Sequence, residues 1–213
     1  MFIIDFDDTL FDTHAFKIAR QKEVAKAGIP GKVYKQTYQE ARLAKDGAFV
    51  YTNSAHARAL ARLGYDEKRV LEALRRTTES EFLKRFLFPG AIEFLKKVKL
   101  FGERMVLLSW GAPDFQKVKI EALGVSGYFD KVYITEMSKE QAMGLELNVK
   151  PQAETVWLIN DKPDESVSLS RMFPELKIVL RQSPTISEDE YKKSGISYFN
   201  DLLEIYEYVR DNR

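Results

Sequence analysis

Hydrophobic and polar positions alternate between two textures along this chain. Phe2-Ile3-Ile4-Asp5-Phe6 is a short, β-branched, nearly uniform apolar run, the pattern of a strand buried on both faces. From about Thr13 to Arg85 the apolar positions recur at helical intervals amid dense charge, and no second convincing strand interrupts them. Phe16, Ala19, Arg20, Glu23, Val24 and Ala27 mark a first helix that stops at Gly28-Ile29-Pro30-Gly31. Tyr34–Ala44, Ser54–Leu63 and Glu67–Phe86 predict three more helices, with Gly64 ending one and Asp66 capping the next.

After Phe88-Pro89-Gly90 the rhythm changes. A helix over Ala91–Val98 precedes the strand Met105–Leu108, and a helix over Pro113–Leu123 precedes Lys131–Ile134. A helix from Ser138 precedes Thr155–Ile159, a helical segment leads to Lys177–Leu180, and a last helix carries Leu202, Leu203, Ile205, Tyr206 and Val209. Short apolar strands alternating with helices imply parallel strands with crossover helices. The economical reading is one α/β core from 1–11 and 86–213, with a helical domain at 12–85 inserted after the first strand. Such an insertion would hang over the carboxyl ends of the strands, where open α/β sheets bind ligands.

Charge narrows the function classes. Thirty-three basic side chains against thirty-two acidic ones leave a formal net charge of +1, too little to hold a polyanion by counterion release, so no nucleic-acid partner is expected. The absence of cysteine excludes disulfide scaffolds, thiolate metal sites and thiol nucleophiles. No stretch approaches the roughly 20 apolar residues of a membrane span. Asp5 follows too soon for a signal peptide, so a soluble, cytoplasmic protein is expected.

The most informative residues are Asp5-Phe6-Asp7-Asp8-Thr9-Leu10. Buried strands avoid acids, because desolvating an unpaired carboxylate is costly. Residues i and i+2 of an extended segment point the same way, so Asp5 and Asp7 can converge on one point. Converging carboxylates either hold a hard divalent cation or divide nucleophile and acid/base roles. Capping of the following helix by Asp8 or Asp12 accounts for one acid but not for Asp5. Later strands also end in polar residues: Ser109 after Leu107-Leu108, Thr135 before Ser138-Lys139, and Asp161 after Ile159-Asn160, with Asp164 and Glu165 close behind.

These residues resemble the motifs of the haloacid dehalogenase-like hydrolase superfamily. Asp5–Leu10 is similar to its first motif, Leu108-Ser109-Trp110-Gly111 to its second, and Ile159-Asn160-Asp161 with Glu165 to its fourth. The resemblance covers the whole core and implies a Rossmann-like parallel sheet with the helical insertion as a cap. It implies Asp5 as the nucleophile of an aspartyl-phosphate intermediate and Asp7 as the acid/base. It also implies magnesium on the Asp5 and Asp161 carboxylates and the Asp7 carbonyl, with Ser109 on the phosphoryl oxygens. A site of oxygen donors alone suits Mg²⁺ independently. Asp7 must carry a proton near neutral pH, so its pKa is expected to rise.

Two lysines compete for the family's third motif. Lys139 opens a helix just past the third core strand, where it opposes the helix dipole and so needs another partner. Lys150, in Val149-Lys150-Pro151, lies just before the next strand; Lys139 is preferred. Asn160 stands where the family usually has glycine. His14, His56, Trp110, Arg42, Lys45, Tyr51 and Asn53 are secondary candidates for substrate contact, each with an ordinary structural explanation. The reading is a Mg²⁺-dependent hydrolase of a small phosphorylated metabolite. A phosphotransferase or mutase on the same site and a non-catalytic binding module are its alternatives. Dehalogenation is disfavoured, since that reaction has no use for an acid at position 7.

Overall fold

The computed structural model describes residues 1–42, 51–146 and 155–213, with only the backbone at 145 and 146. Lys45 and Lys150 lie outside the described residues. β1 (Phe2–Ile4) is followed by the helices α1 (Thr13–Ala25), α2 (Gly31–Arg42), α3 (Asn53–Ala61), α4 (Glu67–Arg76) and α5 (Ser80–Leu83). Next come α6 (Ala91–Lys99), β2 (Met105–Trp110), α7 (Pro113–Ala122), β3 (Lys131–Thr135) and α8 (Lys139–Gln141). The chain ends with β4 (Trp157–Asn160), α9 (Pro163–Met172), β5 (Lys177–Arg181), α10 (Glu188–Ser194), β6 (Tyr198–Phe199) and α11 (Leu202–Asp211). Two compact units emerge: Met1–His14 with Leu87–Trp110 and Val125–Arg213, and Ala15–Phe86 with Gly111–Gly124.

The first unit is built on a six-stranded sheet in the order β3-β2-β1-β4-β5-β6, parallel at every pairing, a Rossmann-like arrangement. Alternation along the strands assigns side chains to its two faces. Ile3 is in register with Val106 and Leu158, and these residues pack with Leu108, Ala142, Met143 and Leu169. The neighbouring positions serve the other face, where aromatic rings make the joint. Phe2 stacks on Phe101 at 5.6 Å between centroids and Phe101 on Tyr206 of α11 at 5.4 Å, while Trp157 meets Tyr208 edge-on at 6.3 Å. Both faces are therefore covered, which explains why β1 and β4 read as unbroken apolar runs.

The chain leaves β1 at the centre of the sheet, builds β2 and β3 to one side, and returns to build β4, β5 and β6 on the other. The order reverses between β1 and β4, and a crevice at such a reversal is where open α/β sheets place ligands. The amide of Asp5 still donates to the Ile159 carbonyl at 2.9 Å, so the pairing of these strands persists to the edge of that crevice.

The second unit is helical. Val24, Ile29, Tyr34, Ala57, Leu60, Val70, Ala73 and Leu74 form its core. Asp66 caps α4 by accepting from the Arg69 amide at 2.9 Å, and Gly64 ends the preceding turn at φ +89°, a conformation open to glycine.

Three local expectations need correction. The single helix over Glu67–Phe86 is broken after Arg76, because the Thr77 and Thr78 hydroxyls donate back to the Leu74 and Arg75 carbonyls at 2.5 and 2.8 Å, bonds that compete with the helical ladder. The helix from Ser138 is one short turn that widens to π geometry over Ala142–Glu146. Finally, α10 and the two-residue β6 precede α11, where the aromatic tail carries too little periodicity to reveal them.

Burial on both faces sets the energetics. Ile3→Ala is expected to lower unfolding free energy by about 2–5 kcal/mol in urea titrations, through lost transfer energy plus a cavity. The exposed Leu100→Ala should stay within about 0.5 kcal/mol of wild type.

Candidate active site

The turn after β1 is held by its own backbone. Asp8 has φ 58°, in the left-handed region that asparagine and aspartate tolerate better than bulkier residues. Its amide donates to the Phe11 carbonyl at 2.7 Å, and the Leu10 and Phe11 amides both donate to the Phe6 carbonyl at 3.0 Å. The Asp8 carboxylate accepts from the Thr13 amide at 3.0 Å and the His14 amide at 3.3 Å, so it caps the start of α1. Asp5 stands just before this turn and Asp7 within it. The Thr9 hydroxyl donates to Asp5 Oδ2 at 3.0 Å, and the Thr13 hydroxyl donates to Asp7 Oδ1.

Lys139 enters from α8, whose first turn is capped by Ser138 accepting from the Gln141 amide at 3.3 Å. Its side chain is 2 % exposed, and its ammonium has three acceptors. Nζ lies 2.7 Å from Asp5 Oδ1 and 2.9 Å from Glu165 Oε2, and donates to Asn160 Oδ1 at 2.7 Å. Those contacts resolve why a lysine tolerates the start of a helix. Asn160, fully buried at the end of β4, then donates through Nδ2 to Glu165 Oε2 at 3.0 Å and to Ser166 Oγ at 2.9 Å. Asn160 thus braces the lysine and the glutamate together.

Asp161 follows Asn160 and is 3 % exposed. Its carbonyl accepts from the Tyr191 hydroxyl at 2.7 Å, which also accepts from the Ser183 amide at 2.7 Å. This brace fixes the backbone beyond β4 but leaves Oδ1 of the carboxylate buried without a hydrogen-bond partner among the described residues. Burial, and then the charge on Asp5, push the Asp161 pKa from its ordinary 3.8 up to about 8. Burial raises Asp5 as well, against the pull of Lys139. Burial opposes the charge on Lys139, but Asp5 and Glu165 outweigh it and hold the ammonium protonated. Glu165 sits below its ordinary value, because Lys139 overcomes its burial.

Three buried or half-buried carboxylates therefore face one buried ammonium, with the exposed Lys162 adding a weaker positive charge beside Asp161 and Glu165. The imbalance and the orphaned Asp161 oxygen fit a hard divalent cation, which takes oxygen donors and keeps part of its water shell. Among the described residues no three His, Cys, Asp or Glu side chains cluster as a ready-made cage. The buried Asp161 carboxylate, with its unpartnered oxygen beside Asp5, is the part of the site whose chemistry fits such a cation.

The remaining candidates separate. Ser109 is fully buried near the end of β2. The Trp110 indole donates to the Glu136 carbonyl at 3.2 Å, with Lys162 Nζ 5.7 Å from the ring centroid. Asp164 is exposed, whereas Glu165 belongs to the Lys139 network. His14 is exposed. In the helical unit both ring nitrogens of His56 are bonded, to Thr37 and Tyr51 at 3.0 Å each, so the side chain is structural. Arg42 packs over Tyr38, and Tyr51 and Asn53 bind Arg20. Reading from sequence missed Thr9, Thr13 and Tyr191, which support the acids without doing chemistry themselves.

A family model described as haloacid dehalogenase-like hydrolase matches residues 2–158. No protein of curated function matches the chain in sequence. A solved structure described as a haloacid dehalogenase-like hydrolase of Burkholderia xenovorans LB400 superposes with a TM-score of 0.71 at 18 % identity, covering 97 % of this chain and 94 % of its own. One described as a β-phosphoglucomutase of Thermotoga maritima gives 0.65 at 19 % identity, covering 99 % and 98 %. The L-2-haloacid dehalogenase of Xanthobacter autotrophicus gives 0.55 at 19 %, covering 90 % and 80 %. At these identities the likeness is one of fold.

Two outcomes follow from the electrostatics. Folded Asp161 holds its proton to about pH 8 while unfolded Asp161 releases it near 3.8, so it makes metal-free protein lose stability as pH rises through that window. Asp161→Asn should flatten this fall in melting temperature against pH. Asn160→Ala removes the brace from Lys139 and should lower stability by about 1–3 kcal/mol in chemical denaturation, more than Asn160→Ser, which retains a polar atom.

Proposed function

The chain belongs to the haloacid dehalogenase-like hydrolase family, and from that premise we propose that it hydrolyses a small phosphomonoester with Mg²⁺ through an aspartyl-phosphate on Asp5. The observation that carries this reading is the Asp5 carboxylate, buried at the reversal of the sheet and 2.7 Å from the Lys139 ammonium. A carboxylate so placed is a nucleophile with one oxygen directed by a cation.

Asp5 attacks phosphorus, and Asp7 gives its proton to the departing oxygen. Asp7 then takes a proton from the water that cleaves the acyl phosphate, so one carboxyl serves both half-reactions. The Thr13 hydroxyl, bonded to Asp7 Oδ1, fixes the orientation in which that proton moves. Ser109 hydrogen-bonds the transferring phosphoryl oxygens, and Lys139 balances the charge of Asp5 and the phosphoryl group together. Asp5, Asp161 and the Asp7 carbonyl would hold Mg²⁺, which would supply the positive charge that lets an anionic nucleophile meet an anionic ester. Substrate selection is assigned to the helical insertion. A cytoplasmic location accords with a metabolite substrate.

Asp7 separates this reading from dehalogenation, in which the leaving halide needs no proton. Purified protein should hydrolyse p-nitrophenyl phosphate with Mg²⁺ and stop when EDTA is added. Asp5→Asn should lower kcat at least about 10³-fold, and Lys139→Met by about 10²-fold or more, the range for loss of a group acting on the transition state. Turnover of 2-chloropropionate in place of the phosphate ester would overturn the reading.

A further inference from the structure

The helical unit buries a cation to which the described residues give no counter-charge. Arg20 of α1 is 2 % exposed, and no described carboxylate pairs with it. A guanidinium has five N–H donors. Nη2 uses its two on the Tyr51 hydroxyl at 2.5 Å and Asn53 Oδ1 at 2.6 Å. Nε and Nη1, which carry the other three, are buried without a hydrogen-bond partner among the described residues. The Tyr34 hydroxyl also acts on the guanidinium as a polar neighbour, without meeting Nε or Nη1 in hydrogen-bonding geometry.

The surroundings hold this cation in place without neutralising it. The guanidinium carbon sits 4.7 Å from the Phe115 ring centroid, 5.1 Å from Tyr51 and 5.7 Å from Phe16. These π faces offset part of the charge, but they leave the Nε and Nη1 N–H groups without acceptors among the described residues. A second buried cation, Lys119, lies against the same pair of rings, 5.7 Å from Phe115 and 5.9 Å from Phe16. His56 adds no charge, since burial and then the field of Arg20 push its pKa down to about 3. It extends a polar chain instead: Tyr51 accepts from Arg20 and donates to His56 Nδ1, and Nε2 donates to Thr37, whose hydroxyl donates to the Val33 carbonyl at 2.9 Å. Every link in that direction pairs a donor with an acceptor, so one edge of Arg20 is locked while three N–H groups stay available.

Unsatisfied buried charge destabilises a fold, and a pre-oriented guanidinium with spare donors suits carboxylate and phosphoryl oxygens. We propose that the helical unit is an oxyanion site, in which Nε and Nη1 of Arg20 bind the carboxylate or phosphoryl oxygens of a small ligand. Two sources can bring such oxygens: a second acidic group on the substrate, or a free small anion. Only the first rests on the phosphatase reading above.

Isothermal titration calorimetry with sodium malonate and with inorganic sulfate tests the site on the intact protein. Arg20→Met keeps an apolar stem against the rings and removes an unpaired charge, so its melting temperature should equal or exceed that of wild type. Wild type should bind at least one probe, Arg20→Met should bind it at least about tenfold more weakly, and Arg20→Lys should fall between them. No binding of either probe by wild type, or equal affinity in Arg20→Met, overturns the proposal. So does a cooperative unfolding defect in Arg20→Met combined with wild-type affinity in Arg20→Lys, which would mark a structural residue. Kinetics then separate the sources. If the substrate brings the oxyanion, Arg20→Met raises KM for phosphoglycolate relative to p-nitrophenyl phosphate by about tenfold; if a free anion is the ligand, that ratio stays and only the calorimetry changes. A wild type that hydrolyses neither ester defeats the phosphatase reading and leaves the calorimetric result standing.

Discussion

At the carboxyl edge of the sheet, Asp5, Asp161 and Glu165 share a single buried ammonium, that of Lys139. Isolated carboxylates do not survive such burial unless they are paired, protonated or bound to metal. Lys139 pairs with two of the three, and Asn160 and Thr9 supply hydrogen bonds to its ends of the network. The third, Asp161, keeps an oxygen with no hydrogen-bond partner among the described residues. Burial first, and the neighbouring carboxylates after it, raise the Asp161 pKa to about 8 and raise that of Asp5. A divalent cation is the species whose charge and donor preference match these carboxylates.

Topology explains why the acids meet at all. β1 and β4 are neighbours in the sheet, yet about 150 residues of chain separate them. Their pairing runs to the Asp5 amide, so the next residue of each strand stands at the same edge. The supporting polar groups come from elements that follow other strands: Lys139 after β3, and Tyr191 after β5. A parallel sheet gathers such ends on one side, which is how residues far apart in sequence form one site.

Much of this was legible because it violated a simple rule. An acid in an apolar strand identified Asp5, an acid after another such strand identified Asp161, and a lysine opposing a helix dipole drew attention to Lys139. What stayed hidden depends on three-dimensional context. The bend at Asp8 rests on a backbone angle that aspartate tolerates without announcing. Asn160 appeared as a departure from pattern, and only its distances to Lys139, Glu165 and Ser166 give it a task. Arg20 fell on the apolar stripe of its helix, so its burial was implicit, but the lack of a counter-charge among the described residues emerges only from the packed unit. The break after Arg76 arises from hydroxyl bonds that helical spacing does not encode.

The account reduces to Asp5 being both buried beside Lys139 and able to bond phosphorus. Protein quenched in acid during turnover of a phosphomonoester, digested and mapped by mass spectrometry, examines this directly. A phosphoryl adduct on the peptide containing Asp5, present with Mg²⁺ and lost after hydroxylamine treatment, is the predicted result. Turnover with no adduct on that peptide, or an adduct on another residue, would contradict it.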